Sequence, residues 1–184
     1  MRRPAAIALV ALTTAALAAA LPAAASAGDV PFVTTPEEVV AGMLKLAALR
    51  PGEVVYDLGC GDGRIVIAAV RRPGVRGVCV ELDPDRVALA RANAEQEGVA
   101  ERIRFVEGDF FKVPLEGATV VALYLLPEVN LRLRPRLLRL PPGTRIVSHA
   151  FDMGDWPPQR KQTVHIPLIG DAEIFLWTVP RQAP

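Results

Sequence analysis

Three glycines alternate with other residues in Asp57-Leu58-Gly59-Cys60-Gly61-Asp62-Gly63. Glycines so placed let the backbone turn tightly and come close to a ligand. The third glycine falls one residue too early for the G-x-G-x-x-G dinucleotide pattern. Asp57 and Asp62 would repel a pyrophosphate and attract a cation. Two further carboxylates complete the set. Glu81 ends an apolar run twenty residues beyond Gly61, where it can accept bonds from both ribose hydroxyls. Asp109, in Glu107-Gly108-Asp109-Phe110, can accept a bond from an adenine amino group, with Phe110 against the base. A single acidic residue at a strand end is usually a solvated cap. Several in order predict a site for a positively charged adenosine derivative with a cationic amino-acid tail.

Such residues need a sheet to carry them. Strands are expected at 54–58, 77–81, 103–107, 119–125 and 144–148, each apolar and short. Helices are expected at 64–70, 84–96 and 127–140, the last kinked by Pro135. An earlier helix starts with Thr35 as N-cap, Pro36 at its first position and Glu38 closing a capping box; Pro51-Gly52 ends it. Two last strands, near 164–166 and 172–179, flank a turn at Gly170-Asp171 and read as an antiparallel hairpin. Strands separated by helices imply right-handed crossovers. The expected fold is α/β: a doubly wound, mainly parallel seven-stranded sheet with an antiparallel C-terminal hairpin. Ligands bind such sheets beyond the carboxyl ends of the strands, which is where the carboxylates fall.

The 184 residues suit one domain with a real core. The start stands apart. Met1-Arg2-Arg3 is basic, Ile7 to Leu21 is almost wholly apolar, and Ala25-Ser26-Ala27 is a small-x-small cleavage pattern. That layout predicts a signal peptide or membrane-anchoring segment over 1–27 and a folded domain over 28–184, at the cell envelope, either exported or held at the inner membrane. Without residues 1–27 the formal net charge goes from +1 to −1, and no nucleic-acid partner is expected. Cys60 and Cys79 lack metal or redox spacing and read as buried free thiols, with a disulfide permitted if the chain is exported. The domain is expected to be monomeric and to hold no metal.

Residues 51–148 resemble class I S-adenosylmethionine-dependent methyltransferases. Val54 to Gly63 is similar to their first motif, Val80-Glu81-Leu82-Asp83 to the ribose motif, Gly108-Asp109-Phe110 to the adenine motif, and Pro141-Pro142-Gly143-Thr144 to the turn before their fifth strand. The resemblance implies S-adenosyl-L-methionine as cofactor, held by Asp57, Gly59, Gly61, Asp62, Gly63, Glu81, Asp109 and Phe110. A narrower likeness joins Val30-Pro31-Phe32-Val33, the run Asp57 to Val66, and Val147-Ser148-His149-Ala150-Phe151. These resemble small protein-lysine methyltransferases related to those of the mitochondrial ATP synthase c subunit and adenine nucleotide translocase. That implies a lysine-bearing protein substrate, a membrane protein among the choices, with Pro31-Phe32 over the active site and the apolar leader at a membrane.

The acceptor side is less defined. Tyr124-Leu125-Leu126-Pro127-Glu128 follows the fourth strand and departs from the Asn/Asp-Pro-Pro-Tyr motif of many amino-methylating enzymes. Tyr124, Glu128 and Asp152 are the acceptor-side candidates, against a packed tyrosine and solvated carboxylates. Asp155 and Trp156 border the same loop, and His149 reads as either a base or a structural histidine. Arg132, Arg134, Arg136 and Arg139 crowd one helix, either as a solvated face or toward anionic lipid headgroups. Rival functions are a methyltransferase for a phenol, quinone or lipid, and a cofactor-binding protein without catalysis.

Overall fold

A computed structural model describes residues 33–181. Seven strands form one sheet: β1 (Val54–Leu58), β2 (Arg76–Glu81), β3 (Ile103–Glu107), β4 (Val120–Leu123), β5 (Arg145–His149), β6 (Arg160–Ile166) and β7 (Gly170–Thr178). Their order is β3-β2-β1-β4-β5-β7-β6. The first five run parallel, and β7 pairs antiparallel with both β5 and β6. The expected doubly wound sheet is thus present. Strand order reverses between β1 and β4, and the crevice at their carboxyl ends is the place where such sheets receive ligands.

Helices α1 (Glu37–Ala47), α2 (Arg64–Val70), α3 (Pro84–Gln96) and α4 (Pro127–Leu137) cover the faces. On one face Val39, Met43, Ile65, Val120, Val147 and Ile174 pack together; on the other Leu58, Phe110, Leu123, Leu133 and Trp177 do. Because both faces are buried, β4 and the middle of β1 and β2 read as near-continuous apolar runs and not as alternating ones.

Local chemistry corrects several boundaries. Pro36, not Thr35, is the N-cap of α1, and no side chain caps that end. Thr35 is buried instead, and its carbonyl accepts a bond from Arg64. Asp83 does cap α3, accepting from the Asp85 N–H at 2.9 Å. α4 ends at Leu137, three residues early. The hairpin turn lies at Pro167–Ile169, and Gly170 belongs to β7, paired with Ile166. Pro167 pre-sets the second turn position, which outweighs the Gly-Asp signal that suggested a later turn.

The two thiols are not free. Cys60 and Cys79 form a disulfide with Cα atoms 5.4 Å apart. Leu58 lies opposite Val80, and the Cys60 N–H donates to the Val80 carbonyl, so the chain leaving β1 folds back over β2. That return brings Cys60 onto Cys79, a proximity that a separation of 19 residues does not announce.

Candidate active site

The glycine loop turns sharply at the end of β1. Gly59, Gly61 and Gly63 have φ of 73°, 54° and 80°, a region that disfavours side chains. At Gly59 a Cβ would also sit 2.9 Å from Leu125 Cδ2. The loop is tied to β2 four times. The Gly59 and Cys60 N–H groups donate to the Val80 carbonyl at 2.8 and 3.1 Å, Gly61 N–H donates to Glu81 Oε2 at 3.0 Å, and the disulfide is the fourth link. From α3, Asn93 Nδ2 donates to the Asp62 carbonyl at 2.9 Å.

A cleft opens above this loop, lined by Val33, Thr35, Asp57, Gly59, Glu81 and Tyr124 among others. Asp57 is buried, and its Oδ2 accepts from the Val66 N–H at 3.2 Å. Burial pushes its carboxyl up to about 7; the Asp62 and Glu81 charges add to the rise, against the Val66 bond. Glu81 is buried too. Its Oε1 accepts from Leu82 N–H and Asp83 N–H at 2.8 and 3.2 Å, which leaves Oε2 with one free lone pair.

The structure spreads the other candidates. Asp62 lies at the cleft but is committed to Arg64, whose Nε bonds both its oxygens at 3.0 Å and whose Nη2 reaches Oδ2 at 2.6 Å. Phe110 forms the buried floor. Asp109 accepts from the Phe111 N–H at 2.9 Å, pairs with Lys112, and is not among the residues lining the cleft. Tyr124 lines the cleft and stacks on His149 with ring centroids 4.0 Å apart. Glu128 is exposed in the first turn of α4, and Asp152 is exposed with Oδ1 accepting from Gly154 N–H. Trp156 packs on Trp177, which donates to its carbonyl, so its ring belongs to the core margin. Pro31-Phe32 lie outside the described residues, although Val33 and Thr34 next to them line the cleft.

Several contributors had no sequence signal. Arg64 Nη1 donates to the Thr35 carbonyl at 2.8 Å and so fastens the segment before α1 to the glycine loop. Two α4 arginines serve neighbouring loops. Arg134 bonds the Met153 carbonyl and pairs with Asp155; Arg136 bonds the Phe110 and Val113 carbonyls. Arg132 lies over the Phe111 ring at 3.9 Å. These three are engaged with the protein itself. Behind β5, buried Asn130 Nδ2 donates to Ser148 Oγ and to the Phe151 carbonyl, both at 3.3 Å. They steady a tight turn at Ala150, whose φ is 65°.

The family model described as the ANTKMT methyltransferase domain matches residues 57–160. The chain belongs to this family. The methyltransferase is 44% identical to a protein-lysine N-methyltransferase of Saccharolobus islandicus, over 77% of this chain and 95% of that one. It is 35% identical to the mouse adenine nucleotide translocase lysine N-methyltransferase, over 81% of this chain and 62% of that one. It thus spans under two thirds of the mouse protein. A crystal structure from Salinibacter ruber, described as an RNA methyltransferase with S-adenosyl-L-homocysteine, is 51% identical. It superposes with a TM-score of 0.75, over 83% of this chain and 97% of that one.

The cofactor of this methyltransferase is S-adenosyl-L-methionine, and the site fits it. A cation beside Asp57 would relieve a buried carboxylate that desolvation now disfavours. The Gly59 cradle admits no side chain, and the remaining Glu81 lone pair faces the cleft. When bound, the cofactor supplies an electrophilic sulfonium methyl. The protein holds it, aligns an acceptor and excludes water. Orientation of this kind is worth roughly 7–11 kcal/mol in well-aligned systems.

Proposed function

We propose that this methyltransferase modifies the ε-amino group of a lysine in a protein, using Asp57, Gly59, Glu81 and the floor at Phe110 to hold the cofactor. The likeness to a protein-lysine enzyme across 95% of that enzyme's length carries this reading. The acceptor side agrees with it. Tyr124 lines the cleft and is backed by the buried His149 ring, and burial pushes His149 down to about 4, so that imidazole is uncharged at neutral pH. A lysine entering a desolvated site loses its proton more readily. With the cofactor held by Asp57, Gly59, Glu81 and Phe110, the lysine nitrogen lone pair would take the methyl that the sulfonium would supply, the carbon–sulfur electron pair staying with sulfur. The methylated ammonium then releases a proton to solvent.

A second reading, an RNA acceptor, draws on the likeness to the Salinibacter protein. RNA binding calls for a basic face. The formal net charge here is +1, and three arginines of α4 are turned to protein groups. Protein is therefore favoured. Labelled cofactor incubated with cell fractions decides the matter: protease-sensitive label supports lysine, and ribonuclease-sensitive label overturns it.

The chain is further proposed to work at the cell envelope through its apolar N-terminal segment. Among the described residues no helix is long and apolar enough to cross a membrane, and residues 1–32 are not among them. The disulfide supports an oxidising compartment. Thiol titration of the denatured native protein tests it; two free thiols would place the enzyme in a reducing one.

A further inference from the structure

The β6–β7 hairpin overshoots the sheet. His149, the last residue of β5, pairs with Ile174, while β7 begins four residues earlier at Gly170, paired with Ile166. At about 3.3 Å per residue the tip stands roughly 13 Å beyond His149. That tip is Pro167-Leu168-Ile169, with Leu168 fully exposed and Ile169 76% exposed. The Ile169 N–H donates to the Ile166 carbonyl at 3.2 Å, closing a turn with Leu168 at its third position and φ 65°. A third position with positive φ ordinarily takes Gly or Asn. A leucine is disfavoured there, and neither Leu168 nor Ile169 joins any core cluster among the described residues.

The tip shares a rim with the cofactor cleft. α1 enters at that rim, where the Thr35 carbonyl meets Arg64, and leaves at the opposite one, where the Ala47 carbonyl meets Arg145. Midway, Gly42 lets α1 and the hairpin close up; a Cβ there would lie 2.9 Å from Val164 Cγ2. Val33, where the described chain begins, is 56% exposed at the cleft, and the sequence upstream carries the apolar run of residues 7–21.

We propose that Leu168 and Ile169 insert into the interfacial layer of a lipid bilayer and turn the cleft rim toward the membrane surface. Two aliphatic side chains on a narrow tip fall far short of the ~800 Å² per partner that a stable protein contact buries. They also lack the aromatic and arginine anchors of protein hot spots. Shallow insertion into the interfacial layer suits two exposed aliphatic side chains. The acceptor is then a lysine near the bilayer, a point that rests on the lysine reading.

Full-length protein with Leu168→Cys tests the insertion, since the native cysteines are paired and the new thiol alone takes an environment-sensitive dye. With phosphatidylethanolamine–phosphatidylglycerol vesicles the emission shifts to the blue and brominated acyl chains quench it. A dye at Glu101→Cys, exposed at the opposite rim just before β3, stays unchanged. An unshifted Leu168→Cys dye on vesicle-bound protein overturns the proposal, as does a shift produced by soluble acceptor protein and not by lipid. The double variant Leu168→Asn, Ile169→Ser methylates a vesicle-embedded lysine peptide several-fold more slowly and a soluble peptide at the original rate. Equal rates on both would overturn the orientation. If no lysine is methylated at all, the lysine reading fails while the dye result still decides insertion.

Discussion

Glu81 Oε2 accepts the Gly61 N–H at 3.0 Å, so the carboxylate that faces the cleft also braces the loop beneath it. One side chain thereby shapes the cradle and keeps a free lone pair of Oε2 at the cleft.

Glu81→Ala removes both contributions. Affinity for S-adenosyl-L-homocysteine should fall by about 1–3 kcal/mol, read by calorimetry. Unchanged affinity would remove Glu81 from the site.

Asp57 predicts a pH dependence. Its carboxyl stands at about 7 in the free protein, and a bound cation lowers it, so the complex holds fewer protons. Affinity for the cofactor should therefore rise with pH up to about 7 and level off above. Asp57→Asn should flatten that profile. The stability term has the opposite sense: this folded-state pKa lies above the unfolded value, so the contribution is full in acid and lost as pH rises through about 7. Calorimetry and thermal melts across this range check both.

His149 should not titrate in the physiological range. It is buried against Tyr124, its Nδ1 has no partner among the described residues, and desolvation holds it at about 4. The rate profile should lack a histidine limb near pH 6.5. An NMR titration giving His149 a midpoint between 6 and 7 would contradict the burial described here.

Reducing the Cys60–Cys79 bond should lower unfolding stability by about 3 kcal/mol, the loop-closure value for a span of this length. It should also weaken cofactor binding, because the loop loses one of its ties to β2. Denaturation midpoints with and without reductant measure the first effect, and calorimetry the second.

Arg136→Met should loosen the segment that floors the cleft at Phe110, which now hangs on bonds to the Phe110 and Val113 carbonyls. Loss of about 1–3 kcal/mol in stability is expected, with a higher cofactor KM and little change in kcat. Arg136→Lys, which keeps the charge and one donor direction, should recover part of it.

The sheet was legible in the sequence because β4 is wholly apolar and β1 and β2 are mostly apolar, as strands buried on both faces are, with Asp57 and Glu81 as the exceptions at the site. The loop was legible because its glycines occupy positions that side chains disfavour. What stayed hidden depends on distant partners. Nothing in Asp62-Gly63-Arg64 says that the arginine will claim the aspartate and reach across to Thr35. Cys60 and Cys79 meet only because β1 and β2 lie side by side. The α4 arginines read as one charged face, yet Arg134 and Arg136 bond different loops, which helical spacing does not encode.

Among the described residues β7 is the last strand in chain order and yet sits inside the sheet, between β5 and β6, with Ile174, Phe175 and Trp177 filling both cores. A nascent chain still short of Thr178 leaves β5 without its neighbour and both cores open. The domain can therefore finish folding only after nearly all of it has left the ribosome. Premature stops between His165 and Thr178 should yield chains that proteases clear, not shortened enzymes with partial activity.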